Sequence, residues 1–182
     1  MTQIALPRNT LVVLVGPAGC GKSTFAARHF LPTQVVSSDE CRALISDDPT
    51  NQQVSGDAFD LMKFIIEKRL MLGKLTVADA THLSKESRRP MIRLAERFGF
   101  NSAALVFDVP LEVCLARNAG RQRVVPEQAL ARQHVELQIA LQAVRREGFS
   151  YVFVLDQIVQ REATVVVKRR AIPPNTRSQT IR

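Results

Sequence analysis

The sequence of 182 residues predicts an α/β fold, in which a parallel sheet of about five strands has helices on both faces. Three observations support this prediction. Apolar runs typical of buried strands recur along the chain, segments with the apolar period of a helix lie between them, and turn residues mark most boundaries. The alternation of strand and helix predicts parallel pairing with right-handed crossovers. The predicted strands are Leu11–Val15, Gln34–Ser37, Leu75–Ala78, Ala103–Phe107 and Tyr151–Leu155.

The predicted helices fill the intervals between these strands. Ser84 is a candidate cap for the fourth helix, Pro126 suits the first turn of the sixth, and Gly73 suits the end of the third. The first ten residues are interpreted as a short lead-in, and Thr164–Val167 as a last short strand. The predicted helices cover residues 23–30, 40–46, 57–72, 85–98, 111–119 and 126–147.

Composition and charge narrow the class of protein. No apolar stretch is long enough to predict a membrane span, and the N-terminus does not have the pattern of a secretory leader. The three cysteines lie far apart and do not have the spacing of metal ligands. A reduced cytoplasmic setting is therefore expected. The net charge is +8, but the segment from Arg161 onward carries +5 and the first 160 residues carry only +3. Bulk charge alone therefore does not identify a nucleic-acid partner.

The most informative motif joins the first predicted strand to the first predicted helix. It has the spacing G-x-x-x-x-G-K-S of a phosphate-binding loop, in the strand–loop–helix setting that such a loop requires. Glycines let backbone N–H groups wrap phosphate oxygens, the lysine supplies a point charge, and the serine hydroxyl can bind Mg²⁺. The alternative is a glycine-rich turn with an incidental lysine. The candidate nucleotide-binding residues are Gly16, Pro17, Ala18, Gly19, Cys20, Gly21, Lys22, Ser23 and Thr24.

A carboxylate and a guanidinium follow the second predicted strand. Asp39 and Arg42 are three residues apart, so they project to one side of a helical turn. Asp39 could accept a proton from a hydroxyl group, while Arg42 holds it ionised and contacts a phosphoryl group. The alternative is a helix cap with a surface ion pair.

Asp79 ends the third predicted strand, on the edge where the phosphate-binding loop lies. This position is typical of a carboxylate that binds Mg²⁺ directly or through water, and the alternative is a cap for the next three residues. His82 could act as a base, although stabilisation of the loop is the simpler interpretation.

Three arginines flank the connection after the fifth predicted helix. Arg117 and Arg121 are four residues apart, and Arg123 follows. In the presence of a phosphate-binding loop, such a segment suggests a lid, here about residues 111–130, that closes over phosphates; the alternative is an exposed basic loop.

Together these features predict an ATP-dependent phosphotransferase. The guanine-binding motif N-K-x-D is absent, and the chain is short for a ring-forming module of the AAA+ type. Two further classes stay open: a small-molecule kinase acting on a metabolite or antibiotic, and a non-catalytic ATP-binding module.

The motifs resemble the kinase module of bacterial polynucleotide 5′-kinases of nucleic-acid end healing. The similar stretches are GPAGCGKSTFA, SSDECRALISDDPTNQQVS, GKLTVADAT, VFDVPLEVCLARNAGR and EGFSYVFVL, within residues 9–160. The resemblance implies a P-loop kinase fold with an arginine-bearing lid, and transfer of the γ-phosphoryl group of ATP, with Mg²⁺, to a 5′-OH end of RNA or DNA.

The resemblance also implies residue roles. Asp39 becomes the general base, Arg42 its partner and an acceptor contact, and Gln52 or Gln53 part of the acceptor channel. Arg117 and Arg121, and less directly Arg123, become contacts to ATP phosphates. Relatives commonly carry Asn where this chain has His82.

The expected domain organisation is a kinase domain over residues 1–160, then a short strand and basic tail over residues 161–182. In relatives this module is often fused to further repair domains, so the tail could tether such domains or proteins, or bind polyanions; a solvated basic tail is the alternative.

Overall fold

The computed structural model describes residues 3–120 and 124–168. Its strands are β1 (Gln3–Pro7), β2 (Thr10–Val15), β3 (Val35–Ser37), β4 (Thr76–Asp79), β5 (Asn101–Phe107), β6 (Tyr151–Leu155) and β7 (Thr164–Lys168). Its helices are α1 (Lys22–His29), α2 (Ser38–Ser46), α3 (Ser55–Met71), α4 (Lys85–Arg97), α5 (Leu111–Ala119), α6 (Glu127–Ala143) and α7 (Gln157–Glu162).

Five strands form one parallel sheet in the order β3-β4-β2-β5-β6. The central strand β2 is buried along its whole length, which explains why its sequence is apolar without alternation. One group of buried side chains packs on each face of this sheet, with Leu14 and Leu105 on one face and Val13 and Ala104 on the other. The predicted five-stranded parallel sheet with flanking helices is confirmed.

The sheet order determines where ligands can lie. β2 is in the middle, β3 is at one edge and β6 is at the other. The loop after β2 therefore lies at the centre of the carboxyl edge, with the segments after β3 and β6 on either side of it. Ligands of open parallel sheets bind beyond this edge.

Several element boundaries differ from the prediction. α2 begins at Ser38 because Ser37 is its cap, with the Ser37 hydroxyl accepting the Asp39 N–H at 3.2 Å. Ser84 caps α4 as predicted, with its hydroxyl accepting the Ser87 N–H. Pro126 precedes α6, and the last predicted turn of that helix is instead a 3-10 turn at Val144–Arg146.

Two elements that the sequence analysis did not predict complete the fold. β1 lies within the presumed lead-in and pairs in parallel with β7, in a separate two-stranded sheet. α7 packs against the end of β6 and spans the proposed domain boundary at residue 160. Residues 169–182 of the proposed tail lie outside the described residues.

Among the helices of the described ranges, none combines the length and the apolar composition needed to cross a bilayer.

Candidate active site

The loop between β2 and α1 forms a cradle of backbone amides. Gly21 precedes α1 with φ of 101°, and no side chain caps the helix, so the first N–H groups of α1 are available to an anion. Gly19 has φ of 77°, and a Cβ there would lie 2.6 Å from the Cys114 carbonyl oxygen. Glycine is therefore required at this position for both reasons.

Lys22 is held inside the cradle. Its Nζ donates to the carbonyl oxygens of Gly16 at 2.8 Å and Pro17 at 2.7 Å, and the residue is 8% exposed. A buried ammonium surrounded by backbone dipoles is positioned to bind a doubly or triply charged phosphate group. The Cys20 Sγ lies 3.7 Å from Lys22 Nζ and fills the space beside Gly16.

A cavity of about 900 Å³ runs along the carboxyl edge of the sheet, with the cradle at its centre. This volume is in the range of sites that enclose a cofactor-sized ligand. Its centre is lined by Ala18, Gly19, Gly21, Lys22, Ser23 and Thr24; the β3 side by Ser37, Ser38, Asp39, Arg42, Gln52, Ser55, Phe59, Asp79, Ala80 and Thr81; and the β6 side by Arg28, Arg117, Gln133, Gln157, Gln160 and Arg161.

Asp39 and Arg42 face this cavity from the first turns of α2. The Arg42 Nη2 donates to the Asp39 carboxylate, and the Arg42 Nε donates to the Pro49 carbonyl oxygen at 3.1 Å. The Arg42 side chain is 9% exposed, whereas that of Asp39 is 51% exposed. A buried guanidinium is thus paired with an accessible carboxylate. Because Ser37 is the cap, Asp39 is not needed for capping.

Arg42 also organises the loop that follows α2. Its contact with Pro49 fixes the segment before the 3-10 turn at Gln52–Val54, and this turn brings Gln52 to the cavity wall. Gln53 is exposed and does not line the cavity, so the structure separates the two candidate acceptor contacts.

Asp79 and Ser23 are the residues that fit a magnesium ion. Asp79 ends β4 and is 6% exposed, and both residues line the cavity beside the cradle. In the described part of the chain, no group of three His, Cys, Asp or Glu side chains could hold a metal alone. That donor set fits Mg²⁺, which takes few protein ligands and completes its shell with phosphates and water.

His82 is not placed to act as a base. It is 1% exposed, its Nδ1 donates to the Leu14 carbonyl oxygen at 3.0 Å, and its backbone φ is 43°. Burial, aided by the positive charges of Lys22 and Arg88, lowers the pKa of His82 to about 4. The side chain therefore stabilises the loop after β4, which is the simpler of the two interpretations given in the sequence analysis.

On the β6 side of the cavity, α5 and α6 bond directly to the cradle. Arg117 Nη1 donates to the Cys20 carbonyl oxygen at 3.2 Å, and the Ala18 N–H donates to Gln133 Oε1 at 2.9 Å. Asn118, 2% exposed, bonds both backbone groups of Val125 and so closes the connection between α5 and α6. Arg121 and Arg123 lie outside the described residues, so their predicted lid contacts stay predictions.

The structure adds residues that the sequence analysis missed. Gln133, Gln157 and Gln160 face the cavity from α6 and α7, and Phe59 faces it from α3. Single glutamines on helices give no signal in a sequence, because tertiary packing alone decides which of them meet a cavity. Of the predicted nucleotide-binding residues, Gly16, Pro17 and Cys20 contribute to the cradle's frame rather than to the cavity wall.

The chain was compared with protein families, curated proteins and solved structures. A family model described as AAA domain matches residues 11–140, which is more than half of the chain. No curated protein matches the chain.

Solved structures share the fold at low sequence identity. The Mycobacterium tuberculosis APS kinase CysC, in complex with AMPPNP and APS, is 16% identical and covers 83% of this chain and 90% of its own, with a TM-score of 0.53. A sugar kinase from a Janibacter species is 19% identical (93% and 90% covered, TM-score 0.54). A chain of a Pnkp1/Rnl/Hen1 complex is 17% identical (94% and 74% covered, TM-score 0.51). The predicted α/β P-loop kinase fold is confirmed.

Proposed function

Since the chain belongs to the AAA domain family, whose model matches residues 11–140, we propose that it is an ATP-dependent polynucleotide 5′-hydroxyl kinase. The observation that carries this proposal is the position of Asp39 and Arg42 in the same cavity as Lys22 and the cradle. A ring ATPase that hydrolyses ATP needs only water as acceptor. A cavity that extends past the cradle to a carboxylate–guanidinium pair instead supports transfer to a bound hydroxyl group.

The proposed reaction is a single phosphoryl transfer. Asp39 accepts the proton of the 5′-hydroxyl group, the oxygen forms a bond to the γ-phosphorus, and the bond from that phosphorus to the β–γ bridging oxygen breaks to release ADP. Lys22 and Arg42 neutralise charge on the migrating group, and Arg117 approaches the donor phosphates from the lid. Mg²⁺, held through Ser23 and Asp79, would neutralise charge on the β- and γ-phosphates.

The acceptor side of the cavity supports a large polar acceptor. It is bounded by α2, α3 and the polar loop of residues 47–54, and it is lined by hydroxyl, amide and aromatic groups of Ser38, Gln52, Ser55 and Phe59. Such groups can contact the sugar, phosphate and base of a terminal nucleotide. The motif resemblance supports the same acceptor class, and a chain of the Pnkp1/Rnl/Hen1 complex shares the fold.

A small-molecule kinase is the second candidate. The fold is shared equally well with an APS kinase and a sugar kinase, and the same base and cradle would serve a metabolite hydroxyl group. The two candidates differ only in the acceptor.

The test is transfer of labelled phosphate from ATP to 5′-OH RNA and DNA oligonucleotides, run beside a panel of metabolites. Asp39→Asn should lower kcat by a factor of about 100 or more, since it removes the general base, while ATP binding changes little. Lys22→Ala should weaken both binding and transfer. Glu40→Gln is the matched control, because Glu40 is the exposed neighbour of Asp39 in α2 and does not line the cavity.

Two results would contradict the proposal. Phosphorylation of a metabolite with none of either oligonucleotide would favour the small-molecule kinase. Binding of ATP without transfer to any acceptor would favour a non-catalytic ATP-binding module, and unchanged transfer in Asp39→Asn would contradict the role of Asp39 as the general base.

A further inference from the structure

A smaller cavity lies outside the main cavity that holds the cradle. It is a hollow of about 350 Å³ between α4 and α6, and no residue lines both cavities. We call it the α4–α6 hollow. It is lined by Lys85 of α4, by Ile139, Gln142 and Ala143 of α6, and by Arg146 and Glu147 just after that helix.

The accessible charges of this hollow are positive. Lys85 and Arg146 are exposed, and no carboxylate among the described residues forms an ion pair with either of them. Glu147 accepts from the buried Arg88 guanidinium through both carboxylate oxygens, at 2.5 and 2.7 Å. The charge of Glu147 is therefore already balanced inside the protein, and the hollow presents two cations to solvent.

The basic surface continues along α4. Lys85, Arg89 and Arg93 are exposed and four residues apart, so they form one stripe along the outer side of the helix. The helix has five basic residues and two acidic ones, and the acidic residues, Glu86 and Glu96, lie in its first and last turns. Within the described ranges, neither of them forms an ion pair with the stripe.

Local physical chemistry disfavours this stripe. Like charges four residues apart on a helix repel each other, and Lys85, the first residue of α4, meets the positive end of the helix dipole. Residues that oppose local stability are expected where a surface binds a ligand. A bound polyanion would remove both sources of repulsion.

The hollow is close to the acceptor side of the main cavity. Thr81 lines the main cavity and Lys85 lines the hollow, so four residues of chain place their Cα atoms at most about 14 Å apart. A stacked strand advances about 3.4 Å per nucleotide, so about four nucleotides cover this distance. This step rests on the proposed function, because it takes the acceptor to be a polynucleotide that leaves the main cavity past Thr81.

We propose that the α4–α6 hollow and the stripe on α4 bind the single-stranded part of the acceptor downstream of its 5′-OH end. Lys85, Arg89 and Arg146 neutralise backbone phosphates. Ile139, which is 63% exposed on the wall of the hollow, offers an apolar surface to a sugar or base. Contacts to the backbone carry no sequence information, so the site adds affinity for longer strands without selecting their bases.

The test measures equilibrium binding of labelled single-stranded 5′-OH oligonucleotides to the whole chain without ATP. We expect wild-type protein to bind a dodecanucleotide about fivefold to tenfold more tightly than a tetranucleotide, because only the longer strand reaches the hollow. The double variant Lys85→Gln with Arg146→Gln should lose most of this gain and bind the tetranucleotide like wild-type protein.

Salt dependence separates bound phosphates from general attraction to a basic protein. Each phosphate neutralised on a single strand contributes about 0.7 to the slope of log K against log salt, so the double variant should lower the slope for the dodecanucleotide by about 1.4. The matched control is Lys63→Gln with Lys68→Gln, which removes two exposed charges from α3 outside both cavities. It should leave the affinity and the slope close to those of wild-type protein.

Equal losses in the two double variants would overturn the inference, because they would show only general attraction. Equal affinity of wild-type protein for the tetranucleotide and the dodecanucleotide would also overturn it, and this comparison needs no variant. Binding through the hollow without transfer of phosphate would contradict the proposed function alone. Transfer to both strands, with the dodecanucleotide bound equally well by wild-type protein and by Lys85→Gln with Arg146→Gln, would contradict this site alone.

Discussion

At the scale of single residues, His82 shows how a polar side chain serves the site without entering it. Its imidazole is buried beneath the loop after β4, and its backbone has a left-handed conformation with φ of 43°. Asparagine adopts this conformation readily, while most residues do not. An asparagine at position 82 would therefore meet the same backbone requirement.

His82 should make the protein sensitive to acid. Its pKa is about 4 in the fold and about 6.5 when unfolded, so between these values the unfolded chain takes up a proton that the native protein cannot. Stability should therefore fall as the pH falls from 6.5 to 4, by about 3 kcal/mol from this group. In His82→Asn, urea unfolding at pH 7.5 and pH 4.5 should show a correspondingly smaller loss. An identical loss in the variant and the wild type would contradict this role.

The sequence predicted the residues whose chemistry depends on local spacing. Lys22, Ser23, Asp39 and Arg42 lie within two short motifs, and each faces the cavity. Gln133 and Gln160 could not be predicted from the sequence. Gln133 accepts a hydrogen bond from Ala18, and Gln160 lies beside Gly21, so each meets a residue more than 100 positions away. No local pattern encodes such a contact.

At the scale of elements, a buried ion pair joins α4 to the segment that follows α6. Arg88 Nη2 donates to Glu147 Oε1 at 2.5 Å, and Arg88 Nε donates to Glu147 Oε2 at 2.7 Å. Arg88 Nη1 also donates to the carbonyl oxygens of His82 and Leu83. One guanidinium thus fixes the loop that follows Asp79 at the end of β4 relative to the segment after α6.

Glu147→Gln should be strongly destabilising. It leaves the Arg88 guanidinium, whose side chain is 2% exposed, without its counter-charge, and such changes cost about 3 kcal/mol or more. The measurement is urea unfolding at neutral pH. Asp60→Asn is the matched control, because Asp60 pairs with Lys63 at 3.5 Å on the surface and should contribute little. Equal effects of the two substitutions would contradict the distinction.

Strands that are covered on both faces, and helices that begin at a capping residue, could be predicted from the sequence. β2 is apolar throughout because both of its faces are covered, and Ser84 marks the start of α4. β1 and α7 were missed for physical reasons. β1 has five residues, ends in Pro7, and pairs with a strand more than 150 residues away, while α7 has only six residues and hence no repeating apolar face.

At the scale of the whole molecule, the β1–β7 pair joins the two ends of the described chain. Gln3 pairs with Thr164 and Pro7 with Lys168, and Ile4 and Leu6 are fully buried beside Ala163 and Val165. The last strand is therefore part of the folded body, although it follows the proposed boundary at residue 160.

Two truncations test this arrangement. A chain ending at Lys168 keeps the pairing of β7 with β1, and we expect it to unfold like the full chain. A chain ending at Ala163 loses the partner of β1 and should be less stable by on the order of 3 kcal/mol, given several lost backbone hydrogen bonds and newly exposed apolar side chains. Thermal unfolding of both chains is the measurement, and similar midpoints would show that β7 contributes nothing to the fold.

The division of the cavity by the cradle has a consequence for the course of the proposed reaction. Because the β3 side and the β6 side of the cavity lie on opposite sides of the cradle, the donor and the acceptor can be bound at the same time in the proposed reaction. The phosphorus atom then passes directly between them in one displacement, with its configuration inverted and no phosphorylated form of the protein along the way.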